Sequence, residues 1–176
     1  EFQAFAKSQH YASKYQTTAF AALQTAQPQA LAAVVESAQP KVLLLARRLV
    51  EARVPLVTIN WSKLNSDQWD THKNNTARLR KLLPPFDLGL SAFLQDLDER
   101  GLLESTLVVC LGEFGRTPKI NEDAGRDHWP DCYSLALAGG GIPGGRIYGE
   151  SNRTAAYPVS DDVAPWDIAA TMYHLI

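Results

Sequence analysis

The chain has 176 residues, 45% of them hydrophobic and 20% charged, with a formal net charge of -2 at pH 7. That balance is ordinary for a globular protein able to bury a core, and it gives no electrostatic case for a nucleic-acid partner or an anionic membrane surface. No apolar run reaches the length of a membrane span, and Cys110 and Cys132 set no disulfide framework.

A single α/β domain over residues 1–176 is the default at this length. Residues 1–40, rich in Ala and Gln, read as a helical lead-in to a core over 41–176. "KVLLLARRLVEA" (41–52) places Val42, Leu45, Ala46 and Leu49 on one face, the spacing of an amphipathic helix. "PLVTIN" (55–60) is short, apolar and β-branched, a buried strand. Residues 61–75 are polar and irregular. A second helix covers about 86–100, with Leu90, Phe93, Leu94 and Leu97 on one face and Gly101 where a left-handed cap is expected. "STLVVCL" (105–111) and "YSLALAGG" (133–140) are two further buried strands, with Cys110 a small buried hydrophobe, and a last helix begins near Pro165. Strand and helix alternate as in an α/β protein with a largely parallel sheet. The chain opens at Glu1-Phe2 and stops at Ile176, each inside a helical pattern, so both ends read as cut from a longer protein.

In such a fold the chemistry gathers beyond the carboxyl ends of the strands. The loops there are "NWSKLNSDQWDTHKNN", "GEFGRTPKINEDAGRDHWP" and "GGGIPGGR". The second, from Gly112 to Pro130, is too polar for a regular helix or strand. "WDTH" puts Asp70 and His72 two apart; in an extended segment both point one way, and carboxylate and imidazole can converge on one cation. "GRDHW" adds His128 beside Asp127, and Glu113 directly follows a strand, where a ligand or general base is often held. Arg116 and Lys119 suit an anion clamp for phosphate or sulfate; Arg126 stands beside Asp127. The bland alternatives are a surface turn for Asp70-x-His72, a helix cap or arginine partner for Glu113, and an exposed Glu113–Arg116 salt bridge. "GGGIPGGR" lacks the Lys-Ser/Thr ending of a phosphate loop and reads as a turn. Ser134 has no hydrolase-elbow context.

"ARRLVEARVPLVTIN", "WDTHKNN", "LLPPFDLGLSAFLQDLDERGLLESTLVV", "GEFGRTPKIN", "GRDHWP" and "LAGGGIPGG" resemble, in order and wording, the C-terminal part of the bacterial domain-of-unknown-function family 1501, over about residues 41–176. That family is grouped with the sulfatases in the alkaline-phosphatase superfamily. The resemblance implies a sulfatase-like fold, with a largely parallel central sheet and helices on both faces, and a divalent metal, Zn, Ca or Mn. One metal would take Asp70, His72 and His128; a second would take an acidic residue where Glu113 stands. Arg126 and Asp127 would stand behind the ligands, Arg116 and Lys119 on the substrate. The chain departs from the superfamily at Glu113-Phe114, where Asp-His is common, and in the short spacing between Asp70 and His72. The superfamily nucleophile lies N-terminal to everything present. The resemblance thus implies the C-terminal half of a phosphate- or sulfate-ester hydrolase acting on a small anionic ester or glycan in the bacterial cell envelope or periplasm. An exposed face left by the missing half would favour self-association. The alternative is a non-catalytic envelope or binding protein that keeps the fold with an eroded site.

Overall fold

The computed structural model describes residues 33–36, 41–62 and 68–175. These form two compact units, one holding residues 82–97 and everything before Asp70, the other Asp70–Lys81 and everything from Asp98 onward.

The first unit contains a β-α-β arrangement. Strand β1 (Ala33–Glu36) and strand β2 (Val57–Asn60) pair in parallel, from Ala33 opposite Val57 to Glu36 opposite Asn60. Helix α1 (Lys41–Glu51) lies between them in sequence, the helical connection that parallel neighbours need. It buries Val42, Leu43, Ala46 and Leu49 and leaves Leu44 exposed. Arg53 (φ 60) ends it in the left-handed conformation, and the Val54 N–H returns to the Leu49 carbonyl at 3.0 Å. Val54 thereby joins Val42, Leu43 and Leu49 in the core cluster, with Leu45, Val57, Ile59, Trp61 and Phe93 packed around it. Trp61 and Trp69 both meet the Phe86 ring edge-on.

Helix α2 (Asn75–Glu99) is longer than the expected 86–100 and passes through Pro84 and Pro85. Two prolines cost helix hydrogen bonds and normally mark a boundary. Here the segment before them is held from its amino end: the backbone N–H groups of Asn74 and Asn75 donate to the carbonyls of Asp123 and Ala124 at 3.0 and 2.9 Å. Gly101 (φ 66) follows the helix in the left-handed conformation expected of it.

The second unit continues through a 3-10 turn (Leu103–Ser105), β3 (Val108–Cys110), β4 (Gly115–Arg116), β5 (His128–Trp129), β6 (Ala136–Ala138), β7 (Glu150–Ser151), β8 (Pro158–Ser160) and helix α3 (Pro165–Leu175). β3 pairs with β6, β4 with β5 and β7 with β8, each antiparallel. Cys110, in β3, is half-buried, and that burial pushes its thiol pKa up, which suits packing rather than nucleophilic work.

The architecture is mixed α/β, with three corrections. The described residues form four two-stranded sheets rather than one largely parallel central sheet with helices on both faces. The reason lies between β3 and β6: that connection holds the β4–β5 ladder and no helix, and a connection without a crossover returns antiparallel. Ala33–Glu36, placed in a helical lead-in, is a strand because its paired valines and parallel partner outweigh the surrounding alanines; the rest of that lead-in lies outside the described residues. The charged run from Gly112 to Pro130 is not irregular throughout, since its two ends form the β4–β5 ladder. No helix among the described residues is long and apolar enough to cross a membrane.

Candidate metal centre

The site belongs to the second unit and is assembled from the backbone upward. Lys73 and Ala124 form an antiparallel bridge, and the Arg126 N–H donates to the Thr71 carbonyl at 3.0 Å, so segment 70–75 is zipped to segment 121–126. Glycine is required at 125: a Cβ there would overlap the His72 carbonyl. Asn121 is the hub of the turn. Its Oδ1 accepts the N–H groups of Asp123 (3.1 Å) and Gly125 (2.8 Å), while its Nδ2 donates to the His72 carbonyl (3.0 Å) and the Asp127 carboxylate (3.1 Å). The β4–β5 register then sets Arg116 opposite His128. The Asp127 N–H donates to Thr117 Oγ1 at 3.0 Å, fixing the start of β5 against the loop after β4.

Asp70 and His72 point the same way, while Thr71 between them is buried and donates to Asn75 Oδ1 at 2.5 Å. Asp70 Oδ1 lies 3.1 Å from His72 Nε2 and 3.0 Å from His128 Nε2, and the two Nε2 atoms are 3.2 Å apart. His72 Nδ1 is 2.7 Å from Asp127 Oδ1. An ionised carboxylate only accepts, so His72 Nδ1 donates to Asp127, and in the neutral ring Nε2 then presents a lone pair. That lone pair faces Asp70 Oδ1, which also only accepts. A cation above the triangle would be faced by all three atoms. The edges are close to the roughly 3.3 Å between ligands placed about 2.0–2.1 Å from a tetrahedral zinc-like ion. Two imidazoles and a carboxylate, with a carboxylate orienting one imidazole from behind, form a donor set that fits such an ion.

Arg116 adds the positive charge. Its guanidinium donates to Asp70 Oδ1 at 2.5 Å and reaches Glu113 Oε1 at 3.5 Å, and its Cζ lies 5.6 Å from the centre of the Phe114 ring. The Phe114 ring also packs on His128, centroids 4.4 Å apart. The Arg116 hydrogen bond, supported by that from His128, holds the Asp70 carboxyl below the usual range against the opposing effect of burial. Hydrogen bonds from His72 and then Asn121 do the same for Asp127.

The structure therefore brings together Asp70, His72, His128, Asp127 and Arg116. Glu113 is held by Arg116 and is not among the groups whose ligand atoms converge. Arg126 donates to the backbone carbonyls of Thr117 (2.6 Å) and Arg116 (3.1 Å), bracing the hairpin. Lys119 is exposed, beside an open hollow lined by Thr117, Asn121, Glu122 and Asp127. Sequence reasoning passed over Asn121, Thr117 and Phe114. Asn121 left a signal, since "NEDAG" is an asparagine followed at short range by a glycine, the pattern of a side chain that caps its own turn.

No curated protein and no solved structure matches the chain. One family's sequence model matches residues 2–176, nearly the whole of it. The chain is thus a member of that family, DUF1501, described as a protein of unknown function.

Proposed function

We propose that this chain carries the cation-binding and anion-clamping part of a metal-dependent phosphate- or sulfate-ester hydrolase. The observation that carries the reading is the convergence of Asp70 Oδ1, His72 Nε2 and His128 Nε2 at 3.0–3.2 Å, with Asp127 behind His72. Two imidazoles among three donors favour zinc-like ions over calcium. When bound, a divalent cation supplies Lewis-acid polarisation of an ester oxygen. The chain's own residues do the rest. Asp127 fixes the tautomer of His72, Asn121 fixes Asp127, and Arg116 offers a forked donor to an anion's oxygens at the edge of the triangle. Lys119, exposed nearby, would add long-range attraction for an anion. The reading assigns no nucleophile within residues 1–176.

The test is metal uptake by calorimetry and elemental analysis, followed by turnover of aryl phosphate and aryl sulfate by the full-length natural protein. One zinc or manganese ion per chain is expected, with both uptake and turnover lost in His128→Ala and the circular dichroism unchanged. Uptake that survives His128→Ala, or turnover indifferent to chelator, sinks the proposal. One observation favours the second reading, a binding protein that keeps the cation but not the chemistry. Glu113 is within 3.5 Å of Arg116 and outside the three-ligand cluster, so one such cluster rather than two stands among the described residues. Stoichiometric metal binding without turnover of either ester by the full-length protein would select it.

A further inference from the structure

Arg116 occupies a position that the cation-binding reading leaves unexplained. Its Nη1 hydrogen-bonds the same Asp70 oxygen that completes the ligand triangle. A guanidinium there cancels the negative charge a divalent cation would use and takes one of the two lone-pair directions of Oδ1. The side chain is poorly placed to drift away, being 17% exposed and set beside Phe114. It does have a second anchor: Nη2 already reaches Glu113 Oε1 at 3.5 Å, and Glu113 is 65% exposed at the rim.

We infer that Arg116 is an exchangeable counter-ion: it neutralises Asp70 while no cation is bound, and on cation loading it passes, still tethered by Glu113, to an oxyanion seated over the cation. Cation and anion binding are then coupled. A cation that takes over Asp70 frees the guanidinium for the anion, and an anion that engages Arg116 frees Asp70 for the cation. By linkage, each ligand raises the affinity of the other by the same factor. The inference rests on the reading of Asp70, His72 and His128 as cation ligands and adds an order and a sign to it. A purely structural Arg116, bracing Asp70, would act in the opposite direction, since its removal would loosen a ligand and weaken cation binding.

The experiment measures zinc affinity by competition with a chromophoric chelator, with and without inorganic phosphate or sulfate, for the wild type, Arg116→Ala and Arg116→Lys. For the wild type, the anion should tighten zinc binding several-fold. For Arg116→Ala, zinc binding without anion should be at least about tenfold tighter than wild type, the order expected when a unit positive charge is removed from beside a ligand, and the anion effect should vanish. Arg116→Lys retains the charge without the fork and should keep wild-type zinc affinity while losing most of the anion effect. Thermal melts of the three metal-free proteins serve as the folding check. Arg116→Ala protein that folds and binds zinc as weakly as wild type, or more weakly, overturns the inference and leaves the cation site standing. So does a wild type whose zinc affinity ignores both anions. A wild type that takes up no zinc overturns the cation site and the inference together.

Discussion

Asp127 and Gly125 reach the ligand triangle through His72, one through its ring and the other through its backbone. Asp127 Oδ1 receives both the His72 ring proton and an Asn121 amide proton, so Asp127→Ala removes the group that orients a ligand while leaving the three ligand atoms in the chain. Losses of this kind cost roughly 10–100-fold in metal affinity; a zinc titration of Asp127→Ala should fall in that range, short of the complete loss expected for His128→Ala. Gly125 acts through space. Its ideal Cβ position overlaps the His72 carbonyl, a backbone atom that cannot swing aside. Gly125→Ala should therefore cost about 1–3 kcal/mol, as overpacking does, and weaken zinc binding as the two zipped segments are forced apart; an unchanged denaturation midpoint would refute this. The site was partly legible at this scale. Asp70, His72 and His128 stood out because few side chains ligate metals. Asn121 did not, because its work is done by an amide bridging four groups that only the folded turn brings within reach.

Helix α1 shows what periodicity captures, and helix α2 shows what it misses. In α1 the spacing marked Val42, Leu45, Ala46 and Leu49; the structure buries Val42, Ala46 and Leu49, leaves Leu45 half-buried and adds Leu43, while Leu44 is 45% exposed. Leu49 is fully buried, so Leu49→Ala should destabilise by roughly 2–5 kcal/mol while Leu44→Ala costs only a small fraction of that. Chemical denaturation of the two variants checks the face directly, and equal losses would mean the helix is rotated. In α2 the Pro84-Pro85 pair hid a further eleven residues of helix, Asn75–Pro85, whose first backbone donors are taken by carbonyls some fifty residues away in sequence. Local propensity carries no trace of that contact. The pairing directions were hidden for a related reason: an apolar strand reads alike whether its neighbour runs parallel or antiparallel, and only the absence of a helix between β3 and β6 separates the cases.

At the scale of the whole molecule, the described residues divide their cohesion unevenly. The core cluster of Val42, Leu43, Leu49 and Val54 belongs wholly to the first unit. The second unit has two- and three-residue strands, a terminal helix with no buried residue, and a hydrogen-bonded knot around Asn121, His72 and Asp127. Apolar burial contributes about 25 cal/mol per Å², while an exposed polar network contributes little net, so a cation at the triangle would be a large fraction of that unit's stability. A ligand that binds only the folded state adds about 2.7 kcal/mol at a hundred times its dissociation constant, and for a domain near this size 1 kcal/mol moves the midpoint by roughly 2–8 °C. Zinc in excess should therefore raise the thermal midpoint of the transition that includes the second unit by several degrees, and a chelator should return it. The ligand variants decide the cause: His72→Ala and His128→Ala should melt at the same temperature with zinc as with chelator, whereas Leu49→Ala, lowered in its own right, should keep the full zinc-dependent rise. A rise that persists in His128→Ala would place the stabilising ion elsewhere on the chain, and no rise in the wild type would mean that hydrogen bonds alone hold the knot closed.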